Sequence, residues 1–206
     1  MPSELEAVAA EAAGCTRCRL HQSRTQVVFG QGDPHADLMF VGEAPGFHED
    51  RQGIPFVGPS GQLLNRLLEG IGLRREDVYI CNVVKSRPPQ NRDPQPDEIA
   101  ACRPWLDAQI RLVDPKVVVT LGNFAAKTLL ETTTGITRLR GQTYPFQGRV
   151  LLPTFHPAAA LHAQGRRTAG PSPLEAMEGD FRVLAELLAA RGPVDEDRPT
   201  EQLGLF

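Results

Sequence analysis

Four short apolar runs, each broken by a turn-forming residue and followed by a helix-forming stretch, constrain this chain more than any other feature. They are Asp37-Leu-Met-Phe-Val-Gly42, Val78-Tyr-Ile-Cys-Asn-Val83, Lys116-Val-Val-Val-Thr-Leu121 and Arg149-Val-Leu-Leu-Pro-Thr154. Such runs read as buried strands. Between them the apolar spacing changes to that of helices. One is expected over Ser60 to Ile71, with Leu63, Leu64, Leu67, Leu68 and Ile71 on one side, and one from Gly122 to Leu130. Another carries Ile99, Cys102, Leu106, Ile110 and Val113, and Pro104 is expected to kink it or mark its start. Glu4 to Ala13 is helix-forming, and a last helix opens on a capping box of Ser172 and Glu175 with Pro173 between them. Glu43 to Pro59 and Arg87 to Pro96 read as turn-rich or loop segments. Short apolar strands alternating with helices imply a parallel sheet covered on both sides.

Ligands of such sheets bind beyond the carboxyl ends of the strands, which directs attention to Glu43, Asn82, Gly122 and His156. Gly42-Glu-Ala-Pro-Gly46 turns directly off the first strand but lacks the Gly-Lys-Ser/Thr of a phosphate-binding loop, and Gly30-Gln-Gly32 is not followed by a helix. Asn82 is a poor strand former at the end of a buried strand. Its amide offers a donor and an acceptor together, which suits the edge of a pyrimidine or equally a neighbouring loop. His156, before Pro157, is held by a stiff backbone.

The 206 residues fit one domain through Arg191, followed by an acidic tail over 192–206. The net charge of −3 is uneven: the tail holds four acids against one arginine, leaving the body balanced. Thr132 to Leu174 contains Arg138, Arg140, Arg149, Arg166 and Arg167 and no acid, a candidate phosphate-binding face. No apolar run is long enough to span a membrane, and the opening MPSELEAVAAEAAG lacks the basic region and apolar stretch of a signal peptide, so the chain is expected to be cytoplasmic. Four cysteines in that setting point to metal or redox chemistry rather than disulfides, and Cys15-x-x-Cys18 alone fits zinc, a redox pair or an iron-sulfur site.

Taken together, Gly42-Glu-Ala-Pro-Gly46 with Glu49-Asp50, Pro55-Phe-Val-Gly58, Asn82-Val-Val-Lys85 followed by Arg87-Pro-Pro-Gln-Asn-Arg92, and Thr154-Phe-His-Pro157 resemble the family 4 uracil-DNA glycosylases, the iron-sulfur branch of that superfamily. The resemblance runs in order from about Cys15 to Leu188. It implies a three-layer α/β/α sandwich around a four-stranded parallel sheet, and an enzyme that flips deoxyuridine out of DNA and hydrolyses its N-glycosidic bond, releasing uracil and leaving an abasic site. Phe56 would stack on the base, Asn82 would read its edge and Ala44 would line it. His156 would stabilise the departing anion, and Glu43, with Glu49 able to share the task, would orient or activate water. Another branch uses an aspartate where this chain has Ala44. The segment from His156 to His162 resembles the superfamily's intercalation loop with Leu161 as the wedge, and Asn91, Arg166 and Arg167 would contact DNA.

The same resemblance implies a structural 4Fe-4S cluster. Cys15, Cys18 and Cys102 match its ligand positions, but the remaining position is Ser86. Ser86 as an alkoxide, water, or Cys81 after rearrangement could complete it, making a labile cluster. Gln202-Leu-Gly-Leu-Phe206 resembles the pentapeptide with which bacterial proteins bind the DNA polymerase sliding clamp, implying contacts through Gln202, Leu203, Leu205 and Phe206. The expected partners are thus uracil-containing DNA and the clamp, with no membrane, for a monomer associated with the bacterial nucleoid. Two other readings stay open at this point: a catalytically weak, clamp-tethered DNA-binding adaptor, and a relative trapped covalently on uracil-DNA.

Overall fold

A computed structural model describes residues 3–163 and 170–190. Arg166, Arg167 and the tail residues Gln202, Leu203, Leu205 and Phe206 lie outside the described residues. The elements in chain order are α1 (Glu4–Ala13), β1 (Gln31–Gly32), β2 (Leu38–Gly42), α2 (Phe47–Gln52), α3 (Pro59–Glu69), β3 (Tyr79–Asn82), α4 (Pro96–Val113), β4 (Val117–Leu121), α5 (Asn123–Leu130), α6 (Ile136–Leu139), β5 (Tyr144–Phe146), β6 (Arg149–Thr154), α7 (Pro157–His162) and α8 (Pro173–Ala190).

The strand order is β1-β3-β2-β4-β6-β5. The four expected strands form the parallel centre, β3-β2-β4-β6. Two further strands extend it by antiparallel pairing, β1 on β3 and β5 on β6. At two and three residues these edge strands are too short to carry an alternating pattern that would mark them.

Each central strand is buried on both faces because alternate side chains enter different layers. Met39, Val41, Cys81, Val118 and Leu151 pack with Ala12 of α1, Leu106 and Ile110 of α4, and Leu129 of α5. Leu38, Phe40, Ile80, Val119 and Leu152 pack with Leu64 and Leu68 of α3, Ala160 of α7, and Phe181 and Leu184 of α8. The Phe40 and Phe181 rings stack with centroids 5.9 Å apart. Full burial of each such ring contributes about 1.5–3 kcal/mol.

Three local expectations are corrected. Pro104 does not mark the start of its helix: α4 begins at Pro96, with Glu98 accepting the Gln95 N–H at 2.8 Å, and runs through Pro104 to Val113. Burial of Cys102, Trp105, Leu106 and Ile110 outweighs the backbone bond that proline removes. The turn-rich stretch after β2 contains α2, which ends on left-handed Gly53. The segment read as an intercalation loop is helix α7. Ser172 and Glu175 form the expected capping box ahead of α8. Among the described residues no helix is long and apolar enough to cross a membrane.

Candidate active site

The register of the sheet brings the expected residues to one edge. Gly42 pairs with Asn82 and Leu121 with Thr154, so β2, β3, β4 and β6 end level with one another. Their loops enclose a cavity of about 640 Å³ whose walls include Glu43, Ala44, Glu49, Phe56, Asn82, Asn91 and His156. Beyond the strand ends, Val83 and Val84 donate to the carbonyls of Gly42 and Glu43 at 2.9 and 3.1 Å, fixing Glu43 against the end of β3.

Two glycines permit the convergence. A Cβ on Gly42 would lie 2.4 Å from Asn82 Oδ1 and 2.6 Å from Phe56 Cζ. Gly122, at φ +90°, would place a Cβ 3.0 Å from that of His156. The Phe56 and His156 rings lie 5.7 Å apart at a 32° tilt. Phe56 itself is left-handed at φ +53°. Arg75 holds it there, donating to the Phe56 carbonyl at 3.0 Å and also to the Pro55 carbonyl.

Asn82 is 1% exposed, and its Oδ1 has no hydrogen-bond partner among the described residues. A buried amide oxygen left unpaired costs about 1–3 kcal/mol, so this acceptor is poised for a donor. The backbone carbonyl of the same residue accepts from the fully buried Lys85 Nζ.

His156 Nδ1 accepts the Ala158 N–H at 3.2 Å. Burial pushes the imidazole pKa down to about 4, against the opposing charge of Glu49, so the ring is neutral at pH 7. Glu43 is pushed up to about 7, by burial first and by the negative charge of Asp93 second. Glu49 is engaged otherwise: its Oε1 accepts the Val57 and Gly58 N–H groups at 3.0 and 2.9 Å, pinning the loop that carries Phe56.

The remaining expected residues are more dispersed. Asn91 lines the cavity but accepts from Arg87 Nε at 2.7 Å. Leu161 is half-buried and packs against the α3/α8 side of the core. Within the basic segment two of the described arginines are ion-paired, Arg140 with Asp180 at 2.6 Å and Arg149 with Asp114. Those acids come from outside the segment in sequence, so composition within it does not show these two pairings. Sequence reasoning also missed Asp93, His48 and His162, all in the cavity wall, because the loop around Asp93 and the six-residue helices that carry the two histidines are too short for a periodic signal.

The cysteines occupy the α1/α4 side. Cys81 and Cys102 are buried and Cys15 and Cys18 half-buried, all four in one layer. Trp105 Nε1–H points to Cys15 Sγ at 3.4 Å and the Lys85 N–H to Cys102 Sγ at 3.4 Å. Burial raises the Cys102 thiol pKa, against the opposing pull of the Lys85 N–H and the Lys85 charge. Ser86 Oγ accepts from Arg24 Nη1 at 3.1 Å. Among the described residues no three His, Cys, Asp or Glu side chains close on a point as a single metal ion requires.

A parallel α/β sheet whose carboxyl edge gathers an aromatic ring, an unpaired amide acceptor, a neutral imidazole and a perturbed carboxylate defines a protein that takes in one planar, hydrogen-bonding ring. The family follows from comparison. Residues 29–181 match the model of the Uracil DNA glycosylase superfamily, and the chain belongs to that superfamily. It is 45% identical over 192 residues to a type-4 uracil-DNA glycosylase of Sulfurisphaera tokodaii, covering 89% of this chain and 84% of the relative. A type-4 uracil-DNA glycosylase of Archaeoglobus fulgidus is 42% identical over 92% of this chain and 96% of its own. One from Thermotoga maritima is 48% identical over 76% and 83%.

Proposed function

We propose that this chain is a monofunctional uracil-DNA glycosylase: it excises uracil from DNA by hydrolysing the N-glycosidic bond and leaves an abasic site for repair. The observation that carries the reading is the buried, unpaired Oδ1 of Asn82 beside the Phe56 ring. Uracil presents an N3–H donor to such an acceptor. Cytosine presents a lone pair there, so it leaves two acceptors facing each other, a mismatch worth a few kcal/mol.

The other roles follow from charge. As the bond breaks, electrons move onto the uracil ring and the sugar becomes cation-like. Neutral His156 donates through Nε2–H toward the developing base anion, a contribution of about 2.7–4 kcal/mol for a well-aimed donor. Ionised Glu43 accepts a proton from the attacking water and favours the sugar cation. Glu49 serves by holding the Phe56 loop, which leaves Glu43 the freer base. On the DNA, Leu161 fills the gap left by the flipped base while Arg166 and Arg167 meet phosphates.

The donor set at the cysteines supports a 4Fe-4S cluster rather than a single ion. Three thiolates could each take their own iron, with N–H groups directed at two of the sulfurs. Cys15, Cys18 and Cys102 would hold it, and Ser86 would supply oxygen at the fourth corner. Its contribution is structural, tying α1 to α4.

The glycosylase domain extends to residue 191, with the 192–206 segment as a tether to the sliding clamp. Deleting Gln202 to Phe206 is expected to abolish clamp pulldown. For the activity, single-turnover release of free uracil from a labelled strand is the direct measurement. Release lost in both Asn82→Ala and His156→Ala supports the enzyme. Tight binding of uracil-DNA by the wild type without release would make it an adaptor instead.

A further inference from the structure

Phe47 opens α2 at the mouth of the uracil cavity and is 46% exposed; among the described residues only Leu174, at 37%, is a comparably exposed large apolar side chain. Leaving such a ring in water forgoes much of the stabilisation that burial gives. Its surroundings are not apolar. The guanidinium carbons of Arg87 and Arg51 lie 5.1 and 5.7 Å from its centroid, and the His48 ring meets it edge-on at 5.5 Å.

The two arginines come from separate segments, one turn along α2 and the loop beyond β3. Among the described residues neither is ion-paired, whereas Arg92 is taken by Glu98 at 2.6 Å and Arg19 by Asp97 at 2.7 Å. Arg87 is held in place, its Nε bonded to Asn91 Oδ1 at 2.7 Å. Both guanidiniums lie over the Phe47 ring within cation–π reach, so an arriving base exchanges those contacts for stacking while the guanidiniums turn to its phosphates. An exposed aromatic ring attended by two guanidiniums without ion-pair partners among the described residues suits a nucleobase with its phosphates, the pairing used by single-strand binding grooves.

We propose that Phe47, Arg51 and Arg87 form a second nucleotide subsite, which stacks the base adjacent to the flipped uridine and neutralises its flanking phosphates. This rests on the uracil-excision reading and extends it along the strand. An unpaired neighbouring base reaches the ring more readily than one stacked in a duplex, so the subsite favours single-stranded or locally opened substrate.

The test uses the full chain and a single-stranded oligonucleotide carrying 2′-fluoro-2′-deoxyuridine, which binds but resists cleavage, with 2-aminopurine on its 5′ or 3′ side in separate strands. Wild-type protein is expected to change 2-aminopurine fluorescence at one of the two positions. Phe47→Ala should abolish that change and raise Kd about tenfold or more, Phe47→Tyr should retain both, and Leu174→Ala should match wild type. An Arg51→Gln, Arg87→Gln double variant should make the salt dependence of binding shallower by about 1.4 in the log–log slope. Phe47→Ala with wild-type Kd, or wild type with no fluorescence change at either position, overturns the subsite. Uracil release from an unmodified strand is scored separately: a wild type that releases uracil while Phe47→Ala binds normally removes the subsite alone. A wild type that releases none removes the excision reading, and the Phe47→Ala comparison still judges the subsite.

Discussion

The Nδ1 atom of His156 accepts the N–H of Ala158 at 3.2 Å, and this one bond decides which ring nitrogen faces the cavity. A neutral imidazole carries one proton; with Nδ1 accepting, the proton is on Nε2. Burial keeps the ring neutral by pushing its pKa down to about 4. Nitrogen-15 shifts of the free protein are therefore expected to report the Nε2–H tautomer at pH 7, unchanged down to about pH 5. His156→Ala should lower the single-turnover rate by about 10²–10³, the loss seen when one donor to a developing anion is removed. An imidazolium signal at pH 6 would contradict the assignment.

Glu43 and Asp93 face the same cavity and set its pH response. Burial and then the Asp93 charge push the Glu43 carboxyl up to about 7, and only the ionised form accepts a proton from water. The rate should therefore rise with pH through an acid limb centred near 7. Removing the like charge with Asp93→Asn favours the carboxylate, so the limb should move to lower pH. Glu43→Gln should lower the rate about 10²–10⁴ and remove the limb. A limb unmoved in Asp93→Asn would mean that another group titrates.

How much of this was legible in the sequence depended on which forces leave a local imprint. Strands buried on both faces must be continuously apolar, so the parallel centre of the sheet was visible, and with it the strand ends that carry Glu43, Asn82 and His156. The edge strands Gln31–Gly32 and Tyr144–Phe146 owe their existence to backbone pairing with a neighbour, which leaves no side-chain pattern. Charge pairing is equally non-local. The partners of Arg140 and Arg149 stand 40 and 35 residues away, so counting charges within one segment could not reveal that they were neutralised. Asp93 acts through where its loop folds and Phe47 through where the short helix α2 begins, and single residues in such segments announce nothing until the sheet edge brings them together.

Ser86 makes a testable difference at the cysteines. Its hydroxyl is a poorer iron ligand than a thiolate, and it already accepts from Arg24 at 3.1 Å. Ser86→Cys would put a thiol beside that guanidinium, which favours the thiolate. Measured by iron and acid-labile sulfide content and by the visible iron–sulfur absorbance, Ser86→Cys should retain more cluster than wild type after exposure to air and chelator, and Cys102→Ala should retain least. Stoichiometric zinc without sulfide in the wild type would exclude the cluster.

Arg75 lies outside the uracil cavity, yet the stacking ring depends on it. Phe56 adopts φ +53°, a conformation that costs a residue with a side chain about 1–3 kcal/mol unless its surroundings enforce it. The enforcement is the half-buried guanidinium, which donates to the carbonyls of Phe56 and Pro55, while Asn65 Oδ1 accepts from it at 3.3 Å. Truncation in Arg75→Ala leaves buried carbonyls unpaired and should destabilise the protein by about 1–3 kcal/mol, read as a lowered Tm. It should also free Phe56 to leave its left-handed conformation. Since stacking holds the base in both ground and transition states, the loss should fall mainly on KM rather than on kcat. Arg75→Lys can satisfy one carbonyl but not the planar fork, so it should recover part of both effects. A lowered Tm with an unchanged KM would assign Arg75 to the scaffold alone; a raised KM that Arg75→Lys partly restores would make it the residue that positions Phe56.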